Sequence, residues 1–316
     1  MKRFLYQVPV SICGLILGLV SLGSLFFSIE HHILGWTFII MGVLLMLPFF
    51  MKITITGRDA LKSLNDPVAA AISPTFPMSL MVLSSTLSRF TANDILVLTV
   101  WWGAILMHFT LIIFFTLYFI TPNRIRSEYI NPGWFVTFVG IGIIPTTSRN
   151  FGVEFGQAII WIALLFYMIL LPIIIRQMIK EKASRSAFPL TAILAAPGSL
   201  CLTGYISVVV HPSEILVYTL LILSQILYFL IVLIMPKMLE IKFHPSYAAL
   251  TFPTVISATA IIHVLDFFNT MGRMNIILTY LFTFELYLAV AIVAYVLIRY
   301  AHFIAKCYFE SRQTYE

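Results

Sequence analysis

One carboxylate in this sequence stands where a charge is hard to keep. Glu285 lies in LFTFELYLAV, residues 281–290, inside an apolar run. An acid at membrane depth is costly and is a functional candidate by default. Two kinds of chemistry fit it. It holds and releases a proton, coupling a solute's movement to pH, or it stays neutral as a hydrogen-bonded packing acid between two helices. Three arginines form a second set: Arg89 in SRFTAND, Arg149 in SRNFGVE and Arg273 in NTMGRM. Each sits in a short polar tip, where it either builds an electropositive mouth that concentrates anions or snorkels to an interface. The third feature is HPSYAALTFPTVISATAIIHV, residues 244–264, which puts Phe252 directly before Pro253 among small residues. A ring there either blocks a narrow path by sterics and dewetting or is a core aromatic. His108 and His263 read as hydrogen-bonded packing residues, and no metal spacing is present. Cys13, Cys201 and Cys307 show no pairing pattern and read as buried thiols. No cofactor is expected.

Composition decides the solvent these residues meet. Of 316 residues, 60% are hydrophobic and 10% charged, with a mean hydropathy of +1.00. A soluble domain carries about 25% charged residues. The excess apolar surface needs lipid. The net charge of +6 is dispersed between apolar runs, which speaks against a nucleic-acid partner. With no nucleophile–base arrangement, metal cluster or phosphate loop, an enzyme is not expected. The opening MKRF and the apolar run behind it read as a first span, not a cleaved leader.

A crossing takes about 20 residues. Segmentation on that basis predicts ten spans, near 8–28, 33–53, 69–89, 94–120, 133–149, 153–179, 187–210, 214–236, 245–266 and 274–303. Of the nineteen Lys and Arg residues, sixteen fall in one set of connections, which includes both ends of the chain. The opposite set holds three: Arg89, Arg149 and Arg273. Positive charge stays on the cytoplasmic side, so both ends face the cytoplasm of a cell (inner) membrane and the span count is even. The spans pair as five antiparallel hairpins (8–53, 69–120, 133–179, 187–236, 245–303) in a single transmembrane domain, 1–316. GRDALKSLNDP (57–67) reads as a short interfacial helix.

The hairpins repeat a pattern. All five first members carry proline and are rich in Gly, Ala, Ser and Thr. Three contain Phe-Pro: Phe76-Pro77, Phe188-Pro189 and Phe252-Pro253. Second members, such as LVYTLLILSQILYFLIVLIM (216–235), are bulky nearly throughout. Small and hydroxyl side chains suit tight packing or a polar lumen. Proline frees backbone groups that membrane depth tolerates only where they are re-satisfied or line a cavity. Five slender inner helices within five long outer ones satisfy both conditions and enclose a narrow axial path. The competing reading is that the small residues only mark packing faces.

These residues meet a known family. HPSYAALTFPTVISATAI resembles the ninth helix of the TehA and plant slow-anion-channel family. NPGWFVTFVGIG, VPVSICGLILGLVSLG and NDPVAAAISPTFPMSLM resemble the fifth, first and third helices of its bacterial tellurite-resistance/dicarboxylate transporter branch. The resemblance implies an all-α polytopic membrane protein of ten helices, inner odd and outer even, in a pseudo-fivefold ring around a central pore, often as a homotrimer. It also implies anion passage, with Phe252 matching the phenylalanine that plugs the pore in TehA-like channels.

The inner segments hold no Lys or Arg. Candidate partners for an anion at depth are hydroxyls (Thr75, Ser79, Thr191, Ser257, Thr259), freed backbone groups and helix dipole ends, beside Phe76, Pro77, Phe188 and Pro189. Such partners bind weakly, which favours throughput. The expectation is a channel for small monovalent anions gated by Phe252. The alternative is a proton-driven carrier of C4-dicarboxylate, sulfite or tellurite.

Overall fold

Uninterrupted Leu, Ile and Phe runs make long helices, while Gly and Pro break the runs between them. The computed structural model describes residues 2–57, 61–91, 95–121, 130–181 and 184–313. Arg58, Arg124, Arg126 and Lys182, counted in the charge asymmetry, lie outside the described residues. So do residues 58–60 of the expected interfacial helix; Ser63–Asn65 of that stretch form one 3-10 turn.

In chain order, α1 (Lys2–Gln7) leads into α2 (Ile12–Ser28) and α3 (His32–Thr56). Then come α4 (Pro67–Ile72), α5 (Thr75–Leu87) and α6 (Ile95–Phe115), which continues as a π turn to Ile120. Two short pieces, α7 (Gly133–Phe138) and α8 (Ile143–Thr147), precede the long α9 (Val153–Lys180). A 3-10 stretch, Phe188–Ala195, opens into α10 (Ala196–Val208), followed by α11 (Glu214–Leu239). A second, Pro245–Leu250, opens into α12 (Thr251–Thr270), and α13 (Ile276–Gln313) follows. The described residues are all-helical in their regular structure.

Among the described residues, eight helical stretches are long and apolar enough to cross a membrane, which makes this a multi-pass membrane protein. Two expected spans are shorter or broken. The helix α2 has 17 residues. The segment from 133 to 150 is interrupted by a 3-10 turn at Gly140–Gly142, where two glycines weaken the helix and Pro145 has no N–H to give the Ile141 carbonyl.

In the mostly buried segments prolines fall where helical pieces begin, whereas Pro48, Pro172 and Pro236 lie inside the long helices α3, α9 and α11. Pro77 and Pro253 are the third residues of α5 and α12, and Pro197 is the second of α10. A first-turn N–H lacks a partner in its own helix anyway, so Pro253 marks a 3-10-to-α junction and does not kink a helix at mid-length. Its missing N–H leaves the Ala249 carbonyl without its α-helical donor.

Burial alternates along the chain. In Pro67–Leu87, Phe188–Val208 and Pro245–Thr270, 67%, 89% and 78% of the spanning window is buried; in the five long bulky helices the share is 28–39%. Small residues explain the sorting, because they let backbones approach. A Cβ on Gly18 of α2 would lie 2.6 Å from Thr251 Cβ of α12, and the Thr251 hydroxyl donates to the Gly14 carbonyl at 3.1 Å. The helix α2 packs on α5 and α12, α10 packs on α8 and α12, and α5 touches α8. Each of these segments also packs on the long helix that follows it: α2 on α3, α5 on α6, α8 on α9, α10 on α11 and α12 on α13.

Candidate functional site

Two cavities meet at Phe252. The smaller, about 610 Å³ counted with the space open to solvent, is bounded by Ser11 and Ser246 near the ends of α2 and α12. Its walls are apolar apart from Ser11, Thr75 and Ser246 and hold no charged side chain. The larger, about 2490 Å³ with its open mouth, reaches the tips that carry Arg89, Arg149 and His211. Among the described residues, Phe252 alone lines both, and it is 8% exposed.

Helical register decides which residues face these spaces. On α4 and α5, Ile72, Thr75 and Met78 line the small cavity, and Val82, Ser85 and Arg89 the large one. Steps of three and four residues keep one helix face turned the same way. The stripe on α2 runs Ser11, Gly14, Leu17, then Ser21, Ser24, Ser28. On α12 it runs Phe252, Ile256, Thr259, His263, Asp266, Thr270. The α7–α8 and α10 segments contribute stripes of the same kind, with Val139, Ile143 and Thr146 on one and Leu190, Ile193, Leu200 and Thr203 on the other.

Thr75, Phe252, Pro253 and Thr259 line these spaces, and Arg89 and Arg149 stand at the mouth. The remaining expected lining residues line neither cavity. Phe76 is one position beyond Thr75 and turns outward onto Phe49 of α3, ring centroids 4.9 Å apart. Pro77 follows it away from the stripe. Ser79, fully buried, returns its hydroxyl to the Phe76 carbonyl at 2.6 Å. Phe188, Pro189 and Thr191 fall on either side of the Leu190–Ile193 face. Ser257 is one residue past Ile256 and accepts a hydrogen bond from Gln225 Nε2 of α11 at 3.2 Å.

Arg273 also departs from expectation. Its guanidinium donates to Glu214 Oε2 at 2.7 Å outside the vestibule. Arg89 and Arg149 make no ion pair among the described residues. The adjoining residues hold them near each other, since Asn150 Nδ2 donates to Ser88 Oγ at 2.9 Å. Partial burial and the neighbouring Arg149 charge pull the Arg89 pKa below its usual value. His263 stands half-buried in the same wall, within electrostatic reach of both arginines, and Asp266 one turn on is the vestibule's acid. His108 is fully buried with Nε2 3.2 Å from the Thr137 carbonyl oxygen, a packing position.

Sequence reasoning passed over the vestibule hydroxyls Ser21, Ser24, Ser28, Ser85, Thr146 and Ser207. Their signal was available: SLGSLFFS spaces its serines by three and four.

Chemically, the arrangement is a wide, cation-bearing vestibule and a smaller uncharged cavity, with the Phe252 ring in the wall of both. The family model described as voltage-dependent anion channel (SLAC1) matches residues 7–301. Two proteins of Methanocaldococcus jannaschii, each described as an uncharacterized transporter, are similar to parts of the chain. One is 25% identical over 115 residues, covering 34% of this chain and 31% of the relative. The other is 28% identical over 138 residues, covering 40% of each. The chain thus spans about a third to two-fifths of the length of these relatives.

Proposed function

The chain belongs to the voltage-dependent anion channel (SLAC1) family, and we propose that it passes small monovalent anions through an uncharged path closed by Phe252. The observation that carries this is the position of one ring. Phe252 is the wall shared by the two cavities, so an ion moving between them must pass it. A bare charge cannot enter an apolar constriction of this kind without replacing its hydration. Outside the partition, Arg89 and Arg149 raise the local anion concentration. Inside, only three hydroxyl-bearing residues line the chamber, so an anion is held weakly and leaves readily.

The architecture we infer is the ten-helix ring, with both ends of the chain cytoplasmic in the cell membrane. The cyclic order of contacts supports it: α2 to α5, α5 to α8, α8 to α10, α10 to α12 and α12 back to α2. The charge asymmetry of the connections supports the orientation. A homotrimer follows from the family resemblance, and cross-linking in native membranes tests it.

A second reading, a proton-coupled carrier of small acids, is favoured by one observation, the buried Glu285. The two readings differ in their reversal potential under a pH gradient. A channel follows the anion gradient alone, whereas a carrier shifts with pH.

The direct test is Phe252→Ala in a reconstituted bilayer. Removing a barrier of about 1.4–2.8 kcal/mol raises conductance roughly ten- to hundredfold. Phe252→Leu should fall between alanine and wild type. An unchanged current from folded Phe252→Ala protein refutes the partition.

A further inference from the structure

Behind the gate helix, on the side away from the cavities, lies a buried polar cluster that the permeation path does not use. Glu285 of α13 is fully buried, and neither of its carboxyl oxygens meets a hydrogen-bond partner. It faces Gln225 of α11 and Ser257 of α12, and Tyr228 of α11 stands within electrostatic reach. Ser257 is fully buried and Tyr228 1% exposed. The Tyr228 hydroxyl and Gln225 Oε1 also lack partners. On the lipid side, Phe229 and Phe284 stack with centroids 6.3 Å apart, each next in sequence to a member of the cluster. No cationic side chain faces Glu285 among the described residues.

We propose that Glu285 is a proton-binding site whose occupancy sets the position of the gate helix through Ser257. The inference goes beyond the anion path but rests on Phe252 as its partition. The ligand must be small, because the cluster is closed off by protein and by the aromatic pair. It must be positive, because the cluster's one ionisable carboxyl has no counter-charge and a lone buried carboxylate is very costly. A proton fits better than a metal cation. The surrounding helices α11 and α13 are continuous here and free no backbone carbonyls. Gln225 turns its amide nitrogen, not its oxygen, toward Ser257. The neutral side chains around the carboxyl are hydrogen-bond donors, which stabilise a carboxylate once the proton has left.

The coupling follows from the same contacts. In the structure the Gln225 amide donates to Ser257 and the carboxyl accepts nothing, an arrangement suited to the neutral acid. Loss of the proton turns Glu285 into a strong acceptor. It then competes for the Gln225 amide and the Ser257 hydroxyl, breaking the bond between Gln225 of α11 and Ser257 of α12. Ser257 lies five residues beyond Phe252 on the same helix, so that shift moves the ring. Deprotonation therefore opens the path.

The test is chloride efflux from liposomes holding the full chain, at equal pH on both sides, because the charge of chloride does not change with pH. Wild-type flux should rise by about threefold or more between about pH 5 and about pH 9. Glu285→Gln should be low and flat with pH. Infrared difference spectra should show a protonated carboxyl band that Glu285→Gln lacks. Ser257→Ala should keep that band while its flux no longer follows pH, which a merely structural role would not produce. If Glu285→Gln does not fold, the Ser257→Ala pair of readouts decides alone. Wild-type pH dependence surviving in either variant, a flat wild type, or a flux that follows sodium and not pH when sodium is exchanged for N-methylglucamine overturns the proposal. Phe252→Ala read in the same liposomes separates this failure from failure of the partition.

Discussion

Neutralising Arg89 and Arg149 together should reduce anion flux by an amount that salt controls. The vestibule they border spans about 2490 Å³ counted with its open mouth, so an anion inside it lies on the order of 8 Å from each charge. A unit charge at that distance in water lowers an anion's energy by about 0.5 kcal/mol, and two charges by about 1 kcal/mol. At about 0.01 M salt the screening length is about 30 Å, so roughly three-quarters of this survives and the anion is concentrated about 3.5-fold. At about 0.15 M the screening length is about 8 Å, a third survives, and the gain falls to about 1.8-fold. Asp266 subtracts from the potential in wild type and variant alike, so the difference belongs to the arginines. The assay is chloride efflux from oriented proteoliposomes of Arg89→Gln/Arg149→Gln at the two ionic strengths. Arg273→Gln serves as the contrast, because its charge is already answered by Glu214, and it should change flux little. Equal loss at both salts, or an Arg273→Gln effect as large as the double variant's, would refute the argument.

The lining stripes can be mapped by cysteine accessibility in a Cys307→Ser background. Ser85→Cys, Thr146→Cys and Thr259→Cys should react with a charged methanethiosulfonate added from the arginine-bearing side, whereas Ser79→Cys and Thr191→Cys should not; the reverse pattern would move the path. The α2–α12 contact beside Phe252 can be probed with Gly18→Ala. Its new Cβ would lie 2.6 Å from Thr251 Cβ, so the helices must separate. Overpacking of this kind costs about 1–3 kcal/mol, read as a lower thermal midpoint in detergent, and an unchanged midpoint would show that the two helices are not pressed together there.

The sequence made some of this legible and hid the rest for a physical reason. Residue size was enough to separate buried from lipid-facing helices, because lipid contact and backbone approach select opposite side chains. The bulky run 216–235 lies in a mostly exposed helix, while the small-residue run 187–207 lies in a mostly buried stretch. Size does not report the angle at which a residue leaves its helix. Three Phe-Pro pairs look equivalent in the linear sequence, yet only Phe252 faces the cavities, because the path is drawn by steps of three and four and not by dipeptides. One residue along a helix is a turn of about 100°, which sends Phe76 from the Thr75 stripe to the Phe49 ring, and Ser257 from the path to the Glu285 cluster. Even within that cluster, the chain order shows an acid in an apolar run but not its neighbours, since Gln225, Tyr228 and Ser257 come from two other helices. The same one-residue offset takes Ser257 off the cavity-lining stripe and turns it toward Gln225 of α11. The proposed coupling needs both registers at once, with Phe252 on the face that lines the cavities and Ser257 on the face that meets Gln225.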